Sequence, residues 1–264
     1  GSFEFVYVSK IAEKTPFSKD FIMRRLVKLN KARYVELRRF KHEWGVRILQ
    51  KGMDNLAIWN FKKHGKIKEI LGKVGEGKES VIYSALTPSD EFAVLKFHRY
   101  YAMEFRKIKE SLAYAAVKLR GQELRLEDYM IDVPRAKAQV EFHVMQKLHG
   151  KFAVPKPIDL DRHVVLMEMV CDEPGIPARL LKDVLLKDAK AWKEDIINEY
   201  LAIVNEAGIV HGDFSEYNVM IKRDGSFYII DWPQAVPTSY EHARELMERD
   251  LKNINEFFKK KYGI

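Results

Sequence analysis

The sequence predicts an α+β chain in two parts, a small helix, turn, helix and hairpin module followed by a larger domain of two lobes. Three observations predict it. Helical and strand periodicities alternate along the chain, short in the first 65 residues and mixed with three long helices thereafter. Residues 1–65 hold 15 Lys+Arg against 6 Asp+Glu while residues 66–264 hold 31 against 32, so the net charge of +8 comes from the first part. The stretch Ile209–Trp232, IVHGDFSEYNVMIKRDGSFYIIDW, sets an acid, an amide and a second acid around a hairpin whose turn is marked by Asp224-Gly225.

At 264 residues the chain can bury a sizeable core. A hydrophobic fraction of 47% beside 32% charged residues belongs to the soluble globular class. No apolar run approaches the roughly 20 residues that span a bilayer, and no signal peptide is visible, so a cytoplasmic protein without a membrane partner is expected. Cys171 is the single cysteine, which excludes an internal disulfide and a thiolate metal cluster. A basic module joined to a near-neutral one points to a polyanion partner for the first and separate chemistry for the second.

Taken in order, Val6–Lys14 has a helical pattern that stops at Thr15-Pro16, because the residue before proline is pushed out of the α region. Ser18 is a good N-cap for a second helix that carries Phe21, Ile22, Leu26 and Leu29 on one face. Tyr34–Phe40 and Val46–Leu49 read as the strands of a basic hairpin. Helix, turn, helix and basic hairpin is the order of a winged helix-turn-helix, which docks on nucleic acid through phosphate contacts; a small solvated interaction domain whose charges are simply surface is the competing reading. Leu56–Phe61 is a further helix, leading through Lys62–Lys68 into the larger domain.

That domain opens with Ile70–Leu86, two strands around Gly75 and Gly77, and Phe92–Phe97 is a third. Tyr100–Asp132 is rich in charge without clear stops and is expected to be a mobile insertion. Pro134–His149 is helical, Pro155-Lys156-Pro157 breaks the chain, and Val164–Val170 returns as an apolar strand. Ala191–Glu206 is a long amphipathic helix; the hairpin Val219–Ile221 with Phe227–Ile230 follows, and Ser239–Tyr262 is the last helix. The expected boundaries are residues 1–66, 67–170 with the insertion at about 100–132, and 171–264.

Phosphoryl transfer needs an acid to take a hydroxyl proton, then an amide and a second acid to hold a divalent cation on the phosphates. The spacing is H-x-D-x-x-x-x-N, then a strand and Asp. His211-Gly212-Asp213, Asn218 and Asp231 match it, which makes Asp213 the candidate catalytic group and Asn218 and Asp231 candidate ligands for Mg2+ or Mn2+. Each alone would be an ordinary surface turn; the ordered set carries the reading. Lys96 is an ammonium inside the apolar strand AVLK and needs partners, which phosphate oxygens and the helical carboxylate of Glu141 would supply. Gly75 and Gly77 lack side chains that would keep the backbone from phosphates, although a plain hairpin explains them equally, and no G-K-[ST] follows. In a bilobal kinase the strand Val164–Val170 becomes the hinge, where backbone groups of Glu168 and Val170 pair with adenine; a plain core strand is the competing reading.

The set Gly75-x-Gly77-Lys78-Glu79-Ser80, Lys96, His211-Gly212-Asp213-Phe214-Ser215-Glu216-Tyr217-Asn218 and Asp231-Trp232-Pro233-Gln234 resembles the RIO family of atypical protein kinases, over nearly the whole chain. The N-terminal module is similar to that of its second subfamily. Its most specific parts are Ser80, where ordinary kinases carry a third glycine, and the acid-x-Pro-Gln run. The resemblance implies a compact bilobal protein-kinase-like domain that lacks the activation segment and peptide-docking helices. It implies that Ser80 and the loop backbone from Gly75 to Val81 bind the phosphates of ATP and that Lys96 holds the α and β groups. It further implies that Asp213 is the acid-base residue, with Asn218 and Asp231 on the metal and His211 and Ser215 in support. A self-labelling Ser/Thr kinase or ATPase is implied, acting in maturation of the small ribosomal subunit and meeting precursor rRNA through the winged helix; a monomer is the expected state, which the resemblance itself does not give. Asp231 would then also be able to accept phosphate. The chain departs from the pattern at Trp232, where Phe is usual, and in Tyr100–Asp132, which matches only in its lead-in Phe97-His98-Arg99.

Two other readings fit the motif. Small-molecule phosphotransferases of the aminoglycoside or choline kinase type share it but devote a large helical region after the metal aspartate to their substrate, where this chain has only Trp232 to Ile264. A nucleic-acid-binding regulator that merely senses ATP is the other, and the intact Lys96, Asp213, Asn218 and Asp231 count against it.

Overall fold

A computed structural model describes residues 5–99 and 133–264, so the expected insertion Tyr100–Asp132 lies outside the described residues. The chain divides into Gly1–His64 and Gly65–Ile264.

The first unit runs β1 (Val6–Tyr7), α1 (Val8–Glu13), α2 (Lys19–Lys31), β2 (Val35–Arg39), β3 (Trp44–Ile48) and α3 (Gln50–Lys63). Its three strands form one antiparallel sheet in the order β1-β3-β2. The first helix begins at Val8 rather than Val6, because Val6 and Tyr7 pair with Val46 and Gly45. Ser18 caps α2 as its sequence suggests, its hydroxyl accepting from the Phe21 amide at 3.3 Å. Helix α3 starts at Gln50 rather than Leu56; its first turns are polar and show no apolar stripe. Gly52 is required there, since a Cβ would stand 2.2 Å from the Tyr34 carbonyl oxygen. Val8, Ile22, Val35, Val46, Ala57 and Phe61 are buried within this unit.

The second unit opens with β4 (Glu69–Glu76), β5 (Ser80–Leu86) and β6 (Phe92–His98), and continues through α4 (Val133–Leu148), β7 (Pro157–Asp161) and β8 (Val164–Glu168). The five strands form an antiparallel sheet in the order β4-β5-β6-β8-β7. Helix α4 packs across its β6, β8 and β7 strands. The short strands β9 (Cys171–Glu173), β10 (Ile176–Pro177) and β11 (Arg179–Leu180) lead to α5 (Ala189–Ala202). A π turn, Ile203–Ala207, ends α5 at Gly208, whose left-handed φ of 67° stops the helix.

Then come β12 (Ile209–Val210), the hairpin β13 (Val219–Ile221) with β14 (Phe227–Ile229), β15 (Val236–Pro237) and α6 (Ala243–Tyr262). Gly225 takes a φ of 89° in the hairpin turn, and the Asp224 carboxylate accepts from the Ser226 amide. Helix α6 starts at Ala243 rather than Ser239, because turn bonds from Tyr240 to Pro237 and from Ala243 to Tyr240 precede it. Val140, Val144, Met145 and Leu148 of α4 share one core with Ile196, Tyr200, Phe214, Trp232, Ile254 and Phe258. Burying each large apolar side chain contributes about 1.5–3 kcal/mol, and this core fixes the elements that carry the polar residues below. Among the described residues no helix is long and apolar enough to cross a membrane.

Candidate active site

Lys96 is the centre of the site. Strand β6 is apolar on both sides of it, so its side chain is only 7% exposed, and its ammonium donates to Glu141 Oε1 at 2.6 Å and to Asp231 Oδ1 at 2.7 Å. Burial would push this ammonium down, but the Asp231 and Glu141 carboxylates outweigh it and hold it above the ordinary lysine value. Glu141 projects from α4 at 1% exposure. Its second oxygen contacts His98 Nε2 at 2.7 Å. Burial pushes the His98 imidazolium down, so His98 is neutral and donates from Nε2. Against burial, Lys96 and His98 together keep the Glu141 carboxylate well below the usual range. Sequence reasoning missed His98, which looks like an ordinary strand residue two places beyond Lys96.

The chain from His211 to Asn218 is shaped by backbone bonds. Gly212 has a φ of 79°, and a Cβ there would stand 2.5 Å from the Gln234 carbonyl oxygen, so only glycine fits. His211 donates from Nε2 to the Ile230 carbonyl at 3.0 Å and accepts at Nδ1 from the Asp213 amide at 3.2 Å. Burial lowers its pKa and keeps it in that neutral form. Its ring lies against Trp232, with centroids 4.4 Å apart, and the Trp232 indole donates to the Ile229 carbonyl. The indole is fully buried and serves as core.

Asp250 of α6 is the second group that sequence reasoning missed. It is fully buried and accepts from the Gly212 amide at 2.8 Å, the Phe214 amide at 3.0 Å and the Tyr200 hydroxyl at 2.8 Å. Arg249 donates to the Gly212 carbonyl, and Asn253 to the Phe214 carbonyl. No local motif announces these residues; their spacing is that of an amphipathic helix.

Asp213 is half-buried beyond this clamp. Burial, then the Asp231 and Asp250 carboxylates, raise its pKa to about 6. Asn218 donates from Nδ2 to the Asp213 carbonyl at 2.8 Å, which turns its Oδ1 away. The Asn218 carbonyl accepts from the Ile230 amide, tying it to the strand that ends at Asp231. Asp231 holds a left-handed φ of 69°, unusual for a residue with a side chain, and is 39% exposed. Ser215 accepts from the Tyr217 amide at 3.4 Å and gives its carbonyl to the Asn218 amide, closing the turn.

A cavity of about 400 Å³ opens beside Lys96. Of the sequence candidates, Gly75, Gly77, Ser80, Lys96, Glu141, Glu168, Val170, Asn218 and Asp231 line it. Val81 does not; strand alternation turns it to the face opposite Ser80 and Ile82. Lys78 is exposed and is not on the wall, and neither is Glu79, whose carboxylate pairs with Lys137 of α4. Asp213 and Ser215 line a neighbouring cavity of about 580 Å³, and Tyr217 borders both. Among the described residues no cluster of three or more His, Cys, Asp or Glu could hold a metal by itself. The Asn218 Oδ1 and the Asp231 carboxylate fit an ion such as Mg2+, which takes one or two protein oxygens and completes its shell with phosphate and water.

Residues 81–264 match the RIO domain family. The RIO-type serine/threonine-protein kinase Rio2 of Methanocaldococcus jannaschii is 34% identical over 263 residues, 97% of this chain and 91% of that one. The serine/threonine-protein kinase rio2 of Schizosaccharomyces pombe is 32% identical over 219 residues, and that of Saccharomyces cerevisiae 30% over 233. The matches span 60% and 52% of those two longer proteins. Among solved structures, the Rio2 kinase-ADP/Mg2+-phosphoaspartate complex from Chaetomium thermophilum is similar with a TM-score of 0.76 and 25% identity, over 95% of this chain and 73% of that one.

Proposed function

The chain belongs to the RIO family of serine/threonine-protein kinases, and from that premise we propose that it is an ATP- and Mg2+-dependent, self-phosphorylating kinase and ATPase of small ribosomal subunit maturation. The observation that carries the reading is Lys96, buried between Glu141 and Asp231 on the wall of one cavity with the glycine loop and the strand end Glu168–Val170. Residues 67–170 form the nucleotide lobe and residues 171–264 the catalytic lobe. Adenine pairs with the Glu168 carbonyl and the Val170 amide. Ser80 and the backbone from Gly75 to Gly77, which line the cavity, meet the phosphates, and Lys96 holds the α and β groups.

Asn218 and Asp231 hold the metal ion, which when bound neutralises phosphate charge. Asp213 takes the proton from a Ser/Thr hydroxyl as its oxygen forms a bond to the γ-phosphorus; the bond to the β-γ bridging oxygen breaks and ADP leaves. His211 and Ser215 act indirectly, by fixing the backbone on either side of Asp213. In the hydrolytic branch an Asp231 oxygen attacks the γ-phosphorus while the bond to the β-γ bridging oxygen breaks and ADP leaves, giving an acyl phosphate that water then cleaves to the carboxylate and inorganic phosphate. The C. thermophilum complex, a phosphoaspartate with ADP and Mg2+, supports that branch by analogy.

Labelled ATP with Mg2+ tests the reading, scoring acid-stable label, hydroxylamine-labile label and free phosphate separately. Label on Ser/Thr is expected, with a labile fraction that disappears in Asp231→Asn; neither label nor phosphate release would overturn it.

Residues 1–66 are read as a winged helix that docks on precursor rRNA, with the protein a cytoplasmic monomer. The order α1, α2, β2, β3 and the 15 to 6 excess of basic residues in residues 1–65 support this. RNA affinity of the full chain should fall steeply with salt, and a flat response would remove the phosphate contacts from the account.

A further inference from the structure

Lys137 is a second buried lysine of the nucleotide-side sheet and helix, and nothing in the reaction above uses it. It lies on α4 four residues before Glu141, so both side chains leave the same face of one helix. Its side chain is 4% exposed, and its ammonium pairs with the carboxylate of Glu79 at the tip of the glycine loop. Glu79 is gripped a second time through its carbonyl, which accepts from the Arg99 amide at 2.7 Å. Within the loop the Gly77 amide donates to the Ser80 carbonyl at 2.9 Å. The rest of the loop faces outward: Glu76, Gly77 and Lys78 are exposed, and the Glu76 carboxylate pairs with the exposed Lys73.

A buried ammonium is retained only where a carboxylate is held against it, and a carboxylate so held is not free to move. The loop tip and the Lys96 ammonium are therefore both referenced to one rigid face, through Lys137–Glu79 and Glu141–Lys96 respectively. We propose that Lys137 is a positioning residue for phosphate binding, a tether that fixes the loop Gly75–Ser80 relative to Lys96. The proposal rests on the reading of that loop as the phosphate site.

Two variants and two measurements test it. Lys137→Met removes the tether, and Glu79→Gln/Lys137→Met removes it without leaving a buried charge alone, which protects the fold. Amide exchange in the nucleotide-free protein should quicken at Gly77 and Arg99 in both variants while the α4 amides stay protected. Affinity for ATP should fall about tenfold in both, with adenosine affinity unchanged, because only the pre-ordered phosphate contacts are lost. Lys137→Arg should recover most of the ATP affinity. Unchanged exchange in the loop would overturn the tether. So would a double variant that binds ATP like the parent, since the lysine would then only be neutralising Glu79. A parent protein that binds ATP no better than adenosine would instead overturn the phosphate-site reading, and would do so whatever the exchange shows.

Discussion

Two loops border the same cavity and are held in opposite ways. Residues 211–218 are fixed from beneath by Asp250, Arg249 and Asn253 of one helix and by the His211 ring, with Phe214 fully buried. Residues 75–80 stand at the edge of a sheet with an exposed tip, secured by the Glu79–Lys137 pair, an exposed Glu76–Lys73 pair and a few backbone bonds. Proton transfer tolerates little misplacement of an acceptor carboxylate, and a loop built as core suits the role proposed for Asp213. Enclosing a polyphosphate requires the ligand to enter first, and the loop assigned to it has little packing to lose.

The comparison breaks most sharply at the chemical group. Asp213→Ala should lower turnover by about 10²–10⁴-fold while ATP binding persists, measured by single-turnover phosphate release and by nucleotide titration. If ATP affinity collapsed as well, the catalytic loop would be part of the nucleotide grip and the contrast would fail. Asp250→Ala should come next. It strands the Gly212 and Phe214 amides and the Tyr200 hydroxyl, each worth about 1–3 kcal/mol when left buried without a partner. Denaturant unfolding should show a loss of several kcal/mol, and a loss under about 1 kcal/mol would mean that Asp250 is no clamp.

A smaller effect lies in pH. In the proposed mechanism the carboxylate form of Asp213 accepts the proton, so kcat/KM should fall as pH drops through about 6, where its raised pKa lies. Burial is the main cause, and the Asp231 and Asp250 charges add to it. Asp250→Asn removes one like charge and should therefore move the acid limb to lower pH. A limb that moved upward would show that the electrostatic account of Asp213 has the wrong sign.

What the sequence disclosed and what it hid follow the same division. That Lys96, Asn218 and Asp231 share one cavity wall, with Asp213 on the next, was legible because the proposed chemistry requires given residue types at given spacings. Glu141 was legible from its place in an apolar helical repeat. Asp250, His98 and Lys137 were not, because each acts across the fold on a partner distant in sequence, and locally each is an unremarkable polar residue on a helix or strand. The strand Val6–Tyr7 was hidden for the same reason, since its partners Val46 and Gly45 decide its conformation. Val81 fails as a cavity residue through strand alternation, which was readable once Ser80 was placed on the cavity side.

Glycine gives the least disruptive comparison, because the same substitution can be made in both loops. At Gly212 an alanine combines a φ of 79° with a Cβ 2.5 Å from the Gln234 carbonyl, and both the strain and the backbone shift fall on the residue next to Asp213. Gly212→Ala should therefore cost about 1–3 kcal/mol of stability and a large part of turnover. At Gly77 the added Cβ meets only the Ser80 carbonyl oxygen, at 4.0 Å, and the backbone is not left-handed. Gly77→Ala should leave the unfolding free energy within about 0.5 kcal/mol of the parent. Its effect should fall on ATP instead, as a rise in KM with kcat little changed, since the methyl stands on the cavity wall where phosphate oxygens would approach. Equal losses of stability from the two substitutions would show that the glycine loop is as firmly packed as the catalytic one, and the asymmetry between them would then have to be sought in charge rather than in packing.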